Sequence, residues 1–209
     1  MKRLSLISVF AFVATMFALA DSPLTSTDFA RTLNPSGDKQ NNPEILKAFD
    51  QHGWGEEVMA ILCSPSVPVE QRLCLVNYMG WNFNGQTHYP DLVAYYVRKN
   101  GIESKQQVFN GMYGEQMAVF AYVKAMDDYF DVRRAERLAR EAKKRSPRSR
   151  AASVIHALIL SQIALDNDWA EVYNVWRSVL NDKSLNQDFS DQSIQYIMEY
   201  IGLYEKYME

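Results

Sequence analysis

The 209-residue sequence lacks the short motifs that mark common catalytic and metal sites. It contains no G-x-S-x-G nucleophile elbow, no H-E-x-x-H zinc motif and no paired Cys-x-x-Cys spacing. Its three histidines, His52, His88 and His156, are too far apart in sequence for ligand spacing. We therefore assign no catalytic residue, no metal ligand and no cofactor, although catalytic groups that meet only in space leave no such motif.

Sustained alternation of Val, Ile and Thr with polar residues is also absent, so the sequence predicts no β-sheet. Helix-breaking residues are scarce in the C-terminal half. Eight of the nine glycines lie at or before Gly114, and six of the seven prolines lie at or before Pro90. This distribution predicts an all-α protein with short helices in its first half and long helices in its second half.

After residue 20 no apolar run is long enough to span a membrane. The first twenty residues, MKRLSLISVFAFVATMFALA, combine a positive start, an apolar run and a small-x-small ending, which is typical of a secretory signal peptide. Asp21 follows, where a lipoprotein would need Cys. We therefore expect residues 1–20 to be removed and the protein to be exported, periplasmic or secreted, without a lipid anchor or membrane span.

An excess of positive charge is absent as well. Removal of Lys2 and Arg3 with the signal peptide changes the formal charge from −3 to −5, which argues against nucleic-acid binding. One segment, 131–150, is nevertheless basic, with nine Lys or Arg against three Asp or Glu. We favour a solvated helix face with i,i+4 pairs Glu136–Arg140 and Glu141–Arg145 over the alternative, a surface for an acidic partner.

Cysteine is scarce, with only Cys63 and Cys74 in the chain. Both lie at facing ends of predicted helices joined by SPSVP, and an exported protein can keep a disulfide. A disulfide is slightly favoured over two buried free thiols, which would behave as small hydrophobic residues.

Turn residues and apolar spacing divide the chain into a polar arm at 21–42 with one short helix, an irregular helical part at 43–114, and helical hairpins at 115–209. The alternative is that residues 43–209 form a single domain. The expected helices are 26–33, 43–52, 55–63, 68–80, 90–100, 103–111, 115–127, 131–145, 149–166, 168–181 and 190–207.

The hairpin region carries a resemblance to a known repeat. In YVKAMDDYFDVRRAERLAREAKKRSP, small residues and a proline fall at the tetratricopeptide spacing of the second helix, at Ala135, Ala139, Ala142 and Pro147. Val172, Trp176 and Val179 occupy the equivalent places in the next unit. Residues 116–184 therefore resemble tetratricopeptide repeats. The resemblance implies stacked antiparallel hairpins that bind a peptide or protein on a concave surface, but it assigns no individual contact residue.

Aromatic and amide side chains cluster in the connectors between the early helices, above all in GWNFNGQTHYP at 80–90. One interpretation is a set of turns whose rings dock into the local core, which we favour. The other is a ligand site in which rings stack and amides hydrogen-bond. The candidate ligand residues are Trp54, Trp81, Asn82, Phe83, His88, Tyr89 and Tyr113.

The last helix, 190–207, is apolar or aromatic almost all round. Its tyrosines, Tyr196, Tyr200 and Tyr207, are candidates for a partner surface or a homodimer contact. Coverage by the N-terminal half of the same chain is the favoured alternative. Together these features predict an exported, non-enzymatic protein- or peptide-binding module of the cell envelope. The alternative is a small-molecule or glycan binder, or a hydrolase, built on the connectors and His88.

Overall fold

A computed structural model describes residues 22–79, 87–104 and 107–208. Across those three ranges the regular structure is helical, without a β-strand, so the prediction of an all-α fold is confirmed. The signal peptide prediction lies outside the described residues. The α-helices are α1 Glu44–His52, α2 Glu56–Leu62, α3 Val69–Tyr78, α4 His88–Lys99, α5 Gly114–Asp127, α6 Arg133–Arg145, α7 Arg150–Ala164, α8 Trp169–Asn174, α9 Arg177–Leu180 and α10 Asp191–Ile201. Shorter 3₁₀ segments cover Phe29–Thr32, Lys39–Asn41 and Gly202–Tyr207.

Within the described ranges no helix is both long and apolar enough to cross a bilayer. Helices α1 to α7 begin and end within two residues of the predicted bounds. Local side chains explain several of these ends. Ser149 and Ser190 cap α7 and α10 by accepting hydrogen bonds from the amides of Ala152 and Ser193, each at 3.1 Å.

Four predicted helices are wrong in part. The helix predicted at 26–33 is only the 3₁₀ segment Phe29–Thr32. Between 103 and 111 the described residues form turns, in which Asn110 donates its backbone N–H to Gln107 over only three residues. The predicted helix 168–181 is split into α8 and α9, because Trp176 turns into the core and its backbone N–H bonds to Tyr173 with 3₁₀ spacing. The last helix likewise ends as α-helix at Ile201 and continues as a 3₁₀ segment.

The first part of the N-terminal arm, up to Ala30, belongs to the core although its sequence is polar, whereas residues 35–41 are exposed. Leu24 and Phe29 are fully buried. The Phe29 ring lies 5.8 Å from the Tyr122 ring of α5 and 5.5 Å from the Phe189 ring, just before α10. The 3₁₀ segment Phe29–Thr32 packs against α3 and α10. The arm therefore joins the two halves of the chain in one hydrophobic core.

Helices α5 and α6 form the hairpin that positions the candidate site. α5 is buried along most of its length and also contacts α3, α4 and α7. On α6 the buried positions are the small residues Ala135, Ala139 and Ala142, which allow the two helices to approach closely. Since only this stripe of α6 is buried, its arginines lie on the remaining faces.

The structure describes Cys63 and Cys74 as free, buried thiols, so the predicted disulfide is not formed. The Cys74 Sγ instead lies 3.7 Å from the backbone carbonyl oxygen of Phe29, in the core beside the arm. Burial raises the pKa of Cys63 to about 12 and raises the pKa of Cys74 as well. Both side chains therefore act as small hydrophobic residues.

Candidate functional site

An open groove of about 400 Å³ lies between α4, the turn at 107–112 and α6, with α5 as its floor. Its cationic half contains Tyr89, Lys124, Arg134 and Arg137, and its apolar half contains Phe109, Met117 and Leu138. Glu141 and Arg145 close the apolar end. Along α6, Arg134 and Arg145 are eleven residues apart, so the groove extends for about 17 Å at 1.5 Å per residue.

The turn between α5 and α6 brings the three cations of the cationic half together. Lys124 lies in the last turn of α5, and Arg134 and Arg137 lie in the first turns of α6. The Lys124 ammonium lies 4.0 Å from the centre of the Tyr89 ring, so its aliphatic chain is partly covered. Burial, together with the positive charges of Arg134 and Arg137, lowers the pKa of Lys124. Asp127 and Asp128 oppose that shift only in part.

The arginines of α6 differ in whether a carboxylate neutralises them. The predicted pairs are formed: Arg140 lies 3.5 Å from Glu136, and Arg145 lies 2.9 Å from Glu141. Arg134 and Arg137, in contrast, are exposed and make no ion pair or hydrogen bond within the described ranges. Within the described ranges the groove therefore presents two arginines without a salt bridge, beside a lysine that Asp127 and Asp128 offset only in part.

Arg145 has a structural role at the apolar end. Its guanidinium donates to the backbone carbonyl oxygens of Phe109 and, at 3.2 Å, of Met112. These bonds attach the 107–112 turn to the end of α6 and so form one wall of the groove. The half-buried Phe109 and Leu138 line this half, and Met117 lies fully buried beneath them.

Three of the predicted ligand residues lie together: His88 and Tyr89 contact the carboxylate of Asp127, and Trp54 packs against His88. Asp127 accepts the backbone N–H of Tyr89 at 2.6 Å and contacts the Nδ1 atom of His88 at 2.7 Å. The Trp54 ring packs edge-on against the His88 ring at 4.7 Å, and its indole N–H donates to Asp91 at 3.2 Å. These contacts therefore hold the start of α4 against the end of α5, beside the cationic half of the groove.

The other candidate ligand residues lie elsewhere. Tyr113 is 78% exposed and precedes α5, fourteen residues from Asp127, which corresponds to about 21 Å of helix. Tyr113 is therefore far from Trp54, His88 and Tyr89, because it lies at the opposite end of α5. Trp81, Asn82 and Phe83 lie outside the described residues.

The three candidate tyrosines of the C-terminal segment do not form one surface. Tyr200 is buried, and its hydroxyl lies 2.9 Å from that of Tyr204. Tyr196 lies under the Arg31 guanidinium at 3.8 Å from the ring centre. Only Tyr207 is exposed, with its ring 5.0 Å from that of Trp169. The N-terminal arm therefore covers much of α10, as the favoured alternative predicts.

No sequence motif marks Lys124 or Asp127, and no sequence pattern groups the lining of the groove. Asp127 ends its own helix α5, yet it accepts the backbone N–H of Tyr89 in the first turn of the neighbouring helix α4. Lys124 gave no signal, because a single Lys in an apolar helix is ordinary. Of the other histidines, His52 pairs with Glu57 at 3.2 Å and His156 with Glu136 at 3.3 Å. The described ranges contain no group of three or more His, Cys, Asp or Glu side chains suited to a metal ion.

Comparison with known proteins gives no match: no family model, no curated protein and no solved structure is significantly similar to this chain. The groove is therefore the feature from which a function can be inferred.

Proposed function

We propose that this protein is an exported, non-enzymatic interaction module that binds an extended acidic segment of another protein in the groove between α4, α5 and α6. One observation carries the proposal: Lys124, Arg134 and Arg137 surround an open groove without a salt-bridging carboxylate in the described ranges. The N-terminal sequence supports the export part of the proposal.

Electrostatics favours an anionic ligand at this place. Neighbouring cations repel one another, and the lowered pKa of Lys124 reflects that repulsion together with burial. A ligand carboxylate relieves the repulsion and accepts charge-assisted hydrogen bonds, which are stronger than neutral ones. Arg134 and Arg137 are exposed, so the ligand need not displace an existing partner among the described side chains.

The dimensions of the groove favour an extended peptide. A length of about 17 Å accommodates about five residues of extended chain at 3.3–3.6 Å per residue. The resemblance of residues 116–184 to tetratricopeptide repeats points the same way, because such repeats bind peptides on a concave surface.

A binding measurement with a charge-reversal variant tests the proposal. The probe is a fluorescent peptide with several Asp and Glu residues, and its control is the same peptide with Asn and Gln. Arg134→Glu/Arg137→Glu should weaken binding of the acidic peptide by at least about a hundredfold, since each charged hydrogen bond contributes about 1.5–3 kcal/mol.

The matched control is Lys144→Glu/Arg148→Glu, which changes the net charge equally within the basic segment but outside the groove lining. This variant should bind within about threefold of the wild type at physiological salt, where the Debye length is about 8 Å. Equal losses in both double variants would reduce the interaction to general charge attraction and overturn the proposal.

The alternative function, a small-molecule or glycan binder or a hydrolase at the connectors, has weaker support. The indole N–H of Trp54 donates to Asp91, and the Nδ1 atom of His88 contacts Asp127. These polar atoms hold α4 in place, so they are already engaged within the chain.

A further inference from the structure

The groove has two chemically different halves, and this difference specifies more than an acidic ligand. The cationic half carries Lys124, Arg134 and Arg137, none of which forms a salt bridge with a described carboxylate. In the apolar half, the charge of Arg145 is already engaged by Glu141 and by two backbone carbonyl oxygens. Positive charge is therefore available at one end of the groove only.

From this asymmetry we infer that the groove selects a bipartite segment, with two acidic residues at one end and one large apolar residue at the other. The inference rests on the proposed function and specifies its ligand. The acidic side chains pair with Arg134, Arg137 and Lys124, and the apolar side chain covers Phe109 and Leu138.

The apolar half of the groove disfavours a further acidic residue in place of the apolar one. Phe109 and Leu138 are only half-buried, so an apolar side chain placed on them removes further apolar surface from water. A carboxylate placed there would lose hydration and would face Glu141. A uniformly acidic segment therefore gains nothing from this half of the groove.

The spacing of the two parts follows from α6. Leu138 and Arg145, which binds the backbone of Phe109, lie at the two ends of the apolar half, so its middle is level with Glu141. Arg134 and Glu141 are seven residues apart on the helix, which corresponds to about 10 Å. An extended chain covers that distance in about three residues. The bipartite segment therefore carries its apolar residue about three positions from the acidic pair. The groove geometry fits either chain direction, so both orders are used in the experiment.

The asymmetry of the groove also predicts that a bipartite peptide and a simple polyanion differ in how their affinity depends on salt. Binding that relies on charge alone weakens steeply with salt, whereas burial of apolar surface does not. A bipartite peptide should therefore lose less affinity with added salt than inorganic polyphosphate does.

Fluorescence anisotropy with a small peptide set tests the inference. The first peptide carries an Asp pair and a Phe three positions away, and it is made in two versions, with the Asp pair before or after the Phe. A second peptide replaces the Phe with Gly. A third keeps the Phe and replaces Asp with Asn. The better order of the first peptide should bind at least about tenfold tighter than the Gly peptide, in line with partial burial of one aromatic side chain.

Two protein variants assign that difference to the apolar half. Leu138→Ala should reduce the preference for Phe over Gly by about threefold or more without changing the affinity for the Gly peptide. Leu138→Met keeps the apolar volume and should retain the preference, and circular dichroism of both variants checks the fold.

The outcomes separate the two proposals. If no acidic peptide binds the folded protein, the proposed function fails and the inference fails with it. If the acidic peptides with Phe and with Gly bind equally, the ligand is not bipartite, and the inference fails while the proposed function stands. Binding of polyphosphate that is as strong and as salt-resistant as that of the bipartite peptide would also overturn the inference.

Discussion

A Cβ atom placed on Gly114 would lie 2.4 Å from the backbone carbonyl oxygen of Ala142. Side-chain carbon atoms do not approach a backbone oxygen so closely, so this contact between the start of α5 and the end of α6 requires glycine. The hydroxyl of Ser146 donates to Glu115 at 2.9 Å beside it. This junction lies next to Arg145, which attaches the 107–112 turn to α6, and so it supports one wall of the groove.

Gly114→Ala should therefore lower the free energy of unfolding by about 1–3 kcal/mol, the usual cost of overpacking. Gly111→Ala is the matched control, because a methyl group there meets no atom within 4 Å. Urea denaturation followed by circular dichroism measures both. Equal free energies of unfolding for the two variants would show that α5 and α6 can move apart at this contact without loss of stability.

Asp127→Ala should destabilise the protein by about 1–3 kcal/mol, because it leaves the part-buried backbone N–H of Tyr89 without its acceptor and removes a hydrogen-bond partner of His88. The side chains of Asp127 and His88 are only 10% and 18% exposed, so water replaces the lost carboxylate poorly. Glu103→Ala, at an exposed carboxylate, is the control in the same urea measurement. A similar small effect of both changes would contradict the capping role.

Stability should decrease as pH falls below the ordinary His pKa of 6.5, partly through His156. Burial is the main cause that lowers the pKa of His156, helped by Lys143 and Arg140 and opposed by Glu136. The unfolded chain therefore binds a proton at higher pH than the folded chain. The contribution is fully present above the unfolded pKa and is lost as pH falls toward the lowered folded pKa.

His156→Gln should reduce this loss of unfolding free energy between neutral and mildly acidic pH. His52→Gln is the control, because the His52 side chain is 56% exposed. Identical pH profiles of wild type and His156→Gln would assign the acid sensitivity to other groups.

Affinity for an acidic peptide should decrease as pH rises from neutral toward the ordinary Lys pKa of 10.5. The pKa of Lys124 is lowered in the free protein, and a bound carboxylate favours its charged form, so binding takes up a proton in this range. Burial raises the pKa of the neighbouring Tyr89 hydroxyl, which therefore stays neutral. Lys124→Arg should bind with little pH dependence, and an unchanged slope in this variant would remove Lys124 from the ligand contacts.

Phe29→Ala should cost about 3–5 kcal/mol of unfolding free energy, the range for truncating a buried Phe. The ring is fully buried between Tyr122 and Phe189, although it lies in a polar arm. Leu203→Ala, at a position 60% exposed, should change the stability by less than about 0.5 kcal/mol. Thermal unfolding of both variants checks the difference.

Helices α5, α6 and α7 were predictable because apolar positions recur at helical spacing and turn residues separate the helices. The groove was not predictable, since Tyr89, Lys124 and Arg137 come from three helices and no local pattern states which faces meet. The burial of Phe29 was missed for a related reason. A single ring in a polar stretch shows no periodicity, and its partners lie far away in sequence.

The arm also determines when the protein can finish folding. Thr32 and Ser193 share a hydrogen bond across 161 positions, and Arg31 pairs with Glu199 across 168. Closing a loop of that length costs on the order of 4–5 kcal/mol of chain entropy, so these contacts form late. Until Phe189 and α10 leave the ribosome, Phe29 lacks part of its cover. The core around Phe29 is therefore completed only after α10 has left the ribosome.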